Sequence, residues 1–313
     1  MDRASTFEDA IAIRLLQDEF IPVALDAWYC VQRKDTQGEF YRAIVSQDAE
    51  ITPDRSTQGF YVAHADGTLV YAWYNRGPGI LGPHVGGALR RVRDGSLPPR
   101  GRFPEQAAGT PDVKFDRKPP AGGLVVDVFS RILDGDWSEG PDGTAGRIWR
   151  EAAGRDRLWI RAEEAGALAR GELPAALQRR IARFHLIDNT RGTPPVWSGA
   201  EVKSLEMRLE RDGSGEAGAG RYRLAGSVAL ATQDGKRGYE ADLFGHIGAS
   251  AGGEILRFDL VARGTAWGAG PYTGNGPKGR FKLAIAFSLA GKSDPMLIPP
   301  LGSRMLDAYW DAE

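Results

Sequence analysis

From residue 200 onward the apolar positions of the chain recur every second residue, which predicts β-strands with one buried face. Leu205, Met207 and Leu209 alternate with Glu206 and Arg208, and Tyr222, Leu224, Val228 and Leu230 share a face. Over 239–247, Tyr239, Ala241, Leu243 and Ile247 point one way, while Glu240, Asp242 and His246 point the other. Over 255–263 the pattern buries Leu256, Phe258 and Leu260 and exposes Arg257, Asp259 and Arg263. A last strand sets Phe281, Leu283, Ile285, Phe287 and Leu289 against Lys282 and Ser288. Turns rich in Gly and Asp at 212–219, 234–238 and 251–253 stand at hairpin distances. These five segments predict an antiparallel, curling sheet, which further strands near 124–130 and 182–187 extend. The sheet either closes into a barrel or covers its apolar face with two short helices over 162–180, broken at Gly171 and with Pro174 in the first turn of the second.

The first third has a different rhythm. Residues 7–20 carry Ile11, Leu15 and Leu16 at helical spacing between Phe7 and Phe20, with Glu8, Asp9, Arg14 and Asp18 largely opposite. "IPVALDAWYC" reads as a short buried strand. "DTQGEFYRAIVSQDAE" offers a helical face of Phe40, Ile44 and Val45. A hairpin follows, with strands 59–64 and 68–74 joined at Asp66-Gly67. "GILGPHVGGALRRVRDG" reads as a helix that turns basic near its end, as the helix dipole favours. Residues 95–123, with Pro pairs at 98–99 and 119–120, read as a stiff linker or strap.

The "EFIPVALD" segment and the "TQGFYV…DGTLV" hairpin resemble divergent bacterial thioredoxin-like domains over roughly residues 7–94. The resemblance implies a thioredoxin-like α/β scaffold that lacks its first strand. It does not extend to the redox chemistry. Ser5, Thr6 and Phe7 stand where the family carries Cys-x-x-Cys, and Thr57-Gln58-Gly59 where redox-active members carry a cis-proline. Dithiol exchange needs a thiolate and a resolving partner, and the chain holds one cysteine, Cys30. Arg33 and Lys34 near Cys30 point to a reactive thiol; the alternative is a small packing residue at a strand end.

Composition narrows the partners. The 313 residues are long enough for two domains, and 42% hydrophobic with 26% charged residues suits a packed core. A net charge of −1 provides no global field for nucleic acid or an anionic membrane. No apolar run reaches membrane-spanning length, and the N-terminus lacks a signal-peptide core. The expected location is cytoplasmic by default, or periplasmic or secreted if a leader has been removed. His64, His84, His185 and His246 lack metal-ligand spacing, no Gly-x-Ser-x-Gly elbow occurs, and the glycines match neither P-loop nor dinucleotide spacing. No metal and no cofactor is expected.

Two segments carry candidate chemistry. In "RRIARFHLIDNTRGTPPVWSG", 179–199, His185 and Asp188 suggest a general base with its orienter, and Arg191 an anchor for a carboxylate or phosphate. The same residues also fit an ordinary turn in which Asp188 and Asn189 bond the backbone and Arg191 ties down a carboxylate. In "RGTAWGAGPYTGNGPKGR", 263–280, Trp267 and Tyr272 offer stacking surfaces beside Lys278 and Arg280. Asn189, Trp197, Trp267, Tyr272 and Arg280 are candidate ligand contacts if these segments meet at one end of the sheet; the alternative is a Gly-rich crossover with aromatic plugs.

The expectation is an α+β chain: a thioredoxin-like domain at 1–94, a linker at 95–123 and an antiparallel β-rich domain at 124–313. Its expected function is non-catalytic binding of a small molecule or a protein. The alternatives are an enzyme using His185, Asp188 and Arg191, or a thiol oxidoreductase acting through Cys30 or through cysteines upstream of Met1.

Overall fold

Asp26 decides the local structure of the first unit. Its carboxylate accepts the N–H of Trp28 at 3.0 Å, which caps a helix where the apolar run had predicted a strand. The computed structural model describes residues 10–48, 59–75, 79–99, 112, 114–115, 117–139, 143–212, 220–271, 273–291 and 299–311. It divides into two compact units, 2–117 and 118–313.

In the first unit, α1 (Ala10–Glu19), α2 (Ala27–Gln32) and α3 (Thr36–Val45) precede a hairpin of β1 (Phe60–Ala63) and β2 (Leu69–Trp73), and α4 (Leu81–Arg93) follows. The expected strand at 21–30 is therefore corrected: 21–26 lie outside regular structure and 27–32 are helical. A short apolar run fits either state, and here the cap decides. Arg42 closes the far end of α2, its Nη1 donating to the carbonyls of Cys30, Val31 and Arg33 at 3.2, 3.2 and 2.8 Å. Residues Ser5 to Phe7 and Thr57-Gln58 lie outside the described residues.

The hairpin turns at Asp66-Gly67, with Gly67 at φ +83° and the Asp66 carboxylate accepting Thr68 N–H at 2.9 Å. Ala12 on α1 is buried, and Leu15, Leu16 and Phe20 pack with Trp73, Leu81 and Val85. Ile11, expected on that face, is instead exposed. Asp35, held well below the usual carboxylate range by the Arg33 guanidinium, accepts the N–H of Asp112, and Phe115 packs against Tyr29. The described part of 112–117 thus belongs to this unit.

The second unit is built on β3 (Leu124–Asp136), α5 (Gly143–Glu151), β4 (Ala153–Ile160), α6 (Ala162–Ala169), α7 (Ala175–Arg180), β5 (Val202–Arg211), β6 (Gly220–Ala231), β7 (Gly238–Ala249), β8 (Ile255–Trp267), β9 (Lys278–Leu289) and α8 (Leu306–Asp311). Seven strands form one antiparallel sheet in the order β4-β3-β9-β8-β7-β6-β5. The helices α6 and α7 contribute Leu168 and Leu177 to the core under the inner face, with the break at Gly171 and Pro174 where the sequence placed it. β4 and β5 are the two edges, so the ladder does not close into a barrel. Residues Ile181–His185 touch both edge strands.

Those residues form a π-helical turn, which corrects the strand expected at 182–187. Ile181, Ala182, Phe184 and His185 are all buried, a pattern that no one-sided strand produces. A second correction lies at the start of β8. The ladder shifts register between Gly248 and Ala249, which turns Ile255 inward and leaves Leu256 exposed.

Candidate functional site

The register of β7 against β8 places Gly238 opposite Trp267, and a β-carbon at Gly238 would overlap the indole. Trp267 therefore lies flat at this end of the sheet, its Nε1 donating to the Gly235 carbonyl at 2.9 Å. Residues 186–197 cross the same end, and Trp197 donates from Nε1 to the Leu186 carbonyl at 2.9 Å. The two candidate segments thus meet around one cavity, walled by Asp188, Arg191 and Trp197 from the first and by Trp267 and Thr273 from the second. Tyr239 and Phe281 supply its floor from β7 and β9. The free space is about 20 Å³ for the centre of a water-sized sphere, room for about one water molecule.

Arg191 is 4% exposed, and each of its three side-chain nitrogens already donates one hydrogen bond. Nε and Nη2 donate to Asp188 Oδ2 at 3.0 and 2.7 Å, and Nη1 donates to the Thr273 carbonyl. Asp188 Oδ1 accepts from the N–H and hydroxyl of Thr190 at 3.1 and 2.6 Å. Arg191 thus ties Thr273 to the Asp188 turn, and its Nε/Nη2 fork is already taken by Asp188.

Sequence reasoning missed Arg237. Its guanidinium lies 4.0 Å over the Trp197 ring, and Nη1 donates to the Pro195 carbonyl at 2.9 Å. Its Nε is buried without a partner. Burial lowers the pKa of Arg237, and Glu201 opposes that shift. The "DGKRG" turn gave no hint, because a surface turn and a cavity wall call for the same residues there.

The remaining candidates disperse. Arg280 stacks 4.0 Å over Trp267 but pairs with Glu240 at 2.6 Å among exposed groups, outside the cavity. Asn189 bonds the Ser130 hydroxyl and approaches so closely over Gly154 that any side chain there would collide with it. Tyr272 lies outside the described residues.

His185 does not pair with Asp188. Its Nδ1 lies 3.0 Å from Asp156 Oδ2 and its Nε2 3.1 Å from the Tyr309 hydroxyl. Tyr309 also accepts the N–H of Trp159 at 3.0 Å, and Asp156 Oδ1 accepts that of Leu301 at 2.9 Å. Burial pushes the Tyr309 hydroxyl above its ordinary range, so it remains a donor. One assignment gives every proton an acceptor: Nδ1–H to Asp156 and the phenol to Nε2. With His185 1% exposed, Tyr309 0% exposed and both ring nitrogens engaged, no substrate atom reaches the imidazole.

Cys30 lies on α2 at 3% exposure, and burial raises its pKa while Arg33 acts in the opposite direction. We expect a disulfide reagent to release no chromophore from the native protein within minutes, and one equivalent per chain after denaturation. Rapid stoichiometric release from native protein would restore the reactive-thiol reading.

Among the described residues no group of three His, Cys, Asp or Glu side chains is placed to hold a metal ion, and no helix is long and apolar enough to cross a membrane. The fold and site together define a protein of mixed helix and strand, with a large antiparallel sheet and a small cavity walled by tryptophan and arginine. Comparison with protein-family models, with curated proteins and with solved structures finds no match.

Proposed function

We propose that this chain is a non-catalytic binding protein whose site is the Trp197–Arg237–Trp267 end of the seven-stranded sheet. The observation that carries the reading is the convergence of Asp188, Arg191 and Trp197 with Trp267 and Thr273 on one cavity. A cavity of this size takes a single small group, so a larger ligand enters it with that group alone and meets the half-buried Trp267 side chain at the cavity wall. The first unit is read as a thioredoxin-like module without dithiol chemistry; its support is the "EFIPVALD" and hairpin resemblance together with a lone, buried Cys30. The enzyme reading draws no support from His185, which is enclosed on both ring nitrogens.

A thermal-shift screen of small molecules and candidate protein partners tests this reading, with Trp267→Ala as the control variant. At least one class should raise the melting temperature of the wild type and lose that effect in W267A. A screen without stabilisers, or hits indifferent to W267A, would remove the site.

A further inference from the structure

β4 and β5 are the two edges of the sheet, and the fold treats them differently. On β4, side chains take backbone groups of the edge. The Tyr309 hydroxyl accepts the Trp159 N–H, Arg180 donates to the Trp159 carbonyl, and Asn189 donates to the Arg155 carbonyl at 3.4 Å. On β5, among the described residues, no side chain and no backbone group outside β6 bonds the backbone of residues 203–211. Every second residue of that stretch therefore turns its N–H and C=O outward from the sheet. The inner face of β5 is open as well: Leu205 and Leu209 pack on the core but stay half-buried on either side of the buried Met207.

The outer face of β5 carries Glu206, Arg208 and Glu210, all exposed and alternating in sign. We propose that a second copy of this chain pairs along β5, antiparallel and centred on Met207, so that two sheets join into one. This register sets Glu206 against the partner's Arg208, twice, and Leu205 against the partner's Leu209. Alternating charge selects it. Centring on Glu206 or on Arg208 puts like charges face to face at the axis, and centring on Leu205 forms no ion pair. Centring on Leu209 pairs Arg208 with Glu210 but uses only 207–211 and brings Glu206 against Asp212. In the Met207 register the like-charged contact, Lys203 against Arg211, falls at the ends, where both side chains are exposed. Within one chain Arg208 bonds Glu210 at 2.8 Å, and Glu210 also holds Arg223 at 2.9 Å. Glu210 therefore keeps a cation when Arg208 turns to the partner.

Sedimentation equilibrium of the intact chain tests the proposal. The wild type should show a concentration-dependent mass that approaches twice that of the chain. Glu206→Arg and Arg208→Glu each set like charges opposite, and each should raise the dimer dissociation constant about tenfold or more. The double variant restores opposite signs and should return the constant to within about threefold of wild type, which a damaged fold would not do. Hydrogen exchange gives a second readout: the outward amides of 203–211 should slow as concentration rises, while the Trp159 amide on β4 does not. Should a single variant fail to fold, the mass and exchange of the wild type decide. A chain that stays monomeric at millimolar concentration overturns the proposal. So does a dimer indifferent to both single variants, or one that the double variant fails to restore. No residue of β5 lines the Trp267 cavity, so the ligand screen and this test stand or fall separately.

Discussion

Replacing Arg180 by alanine should destabilise the sheet unit by about 3–5 kcal/mol, the range seen when one partner of a buried ion pair is removed. Arg180 is 0% exposed. Its Nη1 and Nη2 each donate to Glu164 at 2.8 Å, Nε donates to the Tyr309 carbonyl at 2.9 Å, and Nη1 also reaches the Trp159 carbonyl at 3.2 Å. One guanidinium therefore joins α6, α7, β4 and α8. Truncation leaves the Glu164 carboxylate buried at 5% exposure without its counter-charge, and it takes a donor from three carbonyls, those of Trp159, Tyr309 and Trp310. For a unit of this size the loss corresponds to a fall in melting temperature on the order of 10 °C. The double variant Arg180→Met with Glu164→Leu separates pair from packing, since an apolar replacement of both partners is often neutral or stabilising. Calorimetry of the single and double variants measures the difference. A single variant within about 1 kcal/mol of wild type would show that solvent reaches Glu164, contrary to its burial.

The strands that were legible in the sequence are those with one wet face. β6, β7 and β9 alternate cleanly, with Tyr222, Leu224, Val228 and Leu230, for example, inward on β6. β4 was missed because both of its faces are covered. Leu158 and Ile160 enter the main core, while Trp159 packs with Phe184 and Tyr309, so "AGRDRLWI" has no period of two. Its charges mislead as well: Asp156 is buried because it serves His185 from 29 positions away, whereas sequence proximity favoured Asp188. The misreading of 182–187 has the same root, since a buried cation and a buried imidazole declare themselves only through partners brought by the fold. At the site, Trp197 and Trp267 stood out as large aromatics in long polar segments. Arg237 did not, because its role depends on the register that sets Gly238 against Trp267.

Tyr309→Phe should lower the stability of the same unit by about 2–4 kcal/mol, since it leaves two buried groups without a partner at about 1–3 kcal/mol each. β4 is an edge strand, and Trp159 turns its N–H and C=O away from β3, where an unpaired edge invites another strand. The fold blunts that edge with side chains: the Tyr309 hydroxyl takes the N–H at 3.0 Å, and Arg180 takes the carbonyl at 3.2 Å. The phenol also bonds Nε2 of His185, so one oxygen joins the C-terminal helix, the edge strand and the π-helical turn. Phenylalanine keeps the ring packed against Phe184, whose centroid is 5.1 Å away, and so isolates the hydroxyl. Alanine removes the ring as well and should cost a further ~3 kcal/mol through the cavity it leaves. Hydrogen exchange locates the effect: in Y309F the Trp159 amide should exchange faster relative to amides at the centre of β8, whereas a purely global loss would raise both together. Equal protection of Trp159 in wild type and Y309F, with unchanged melting, would mean that the hydroxyl holds neither the edge nor His185.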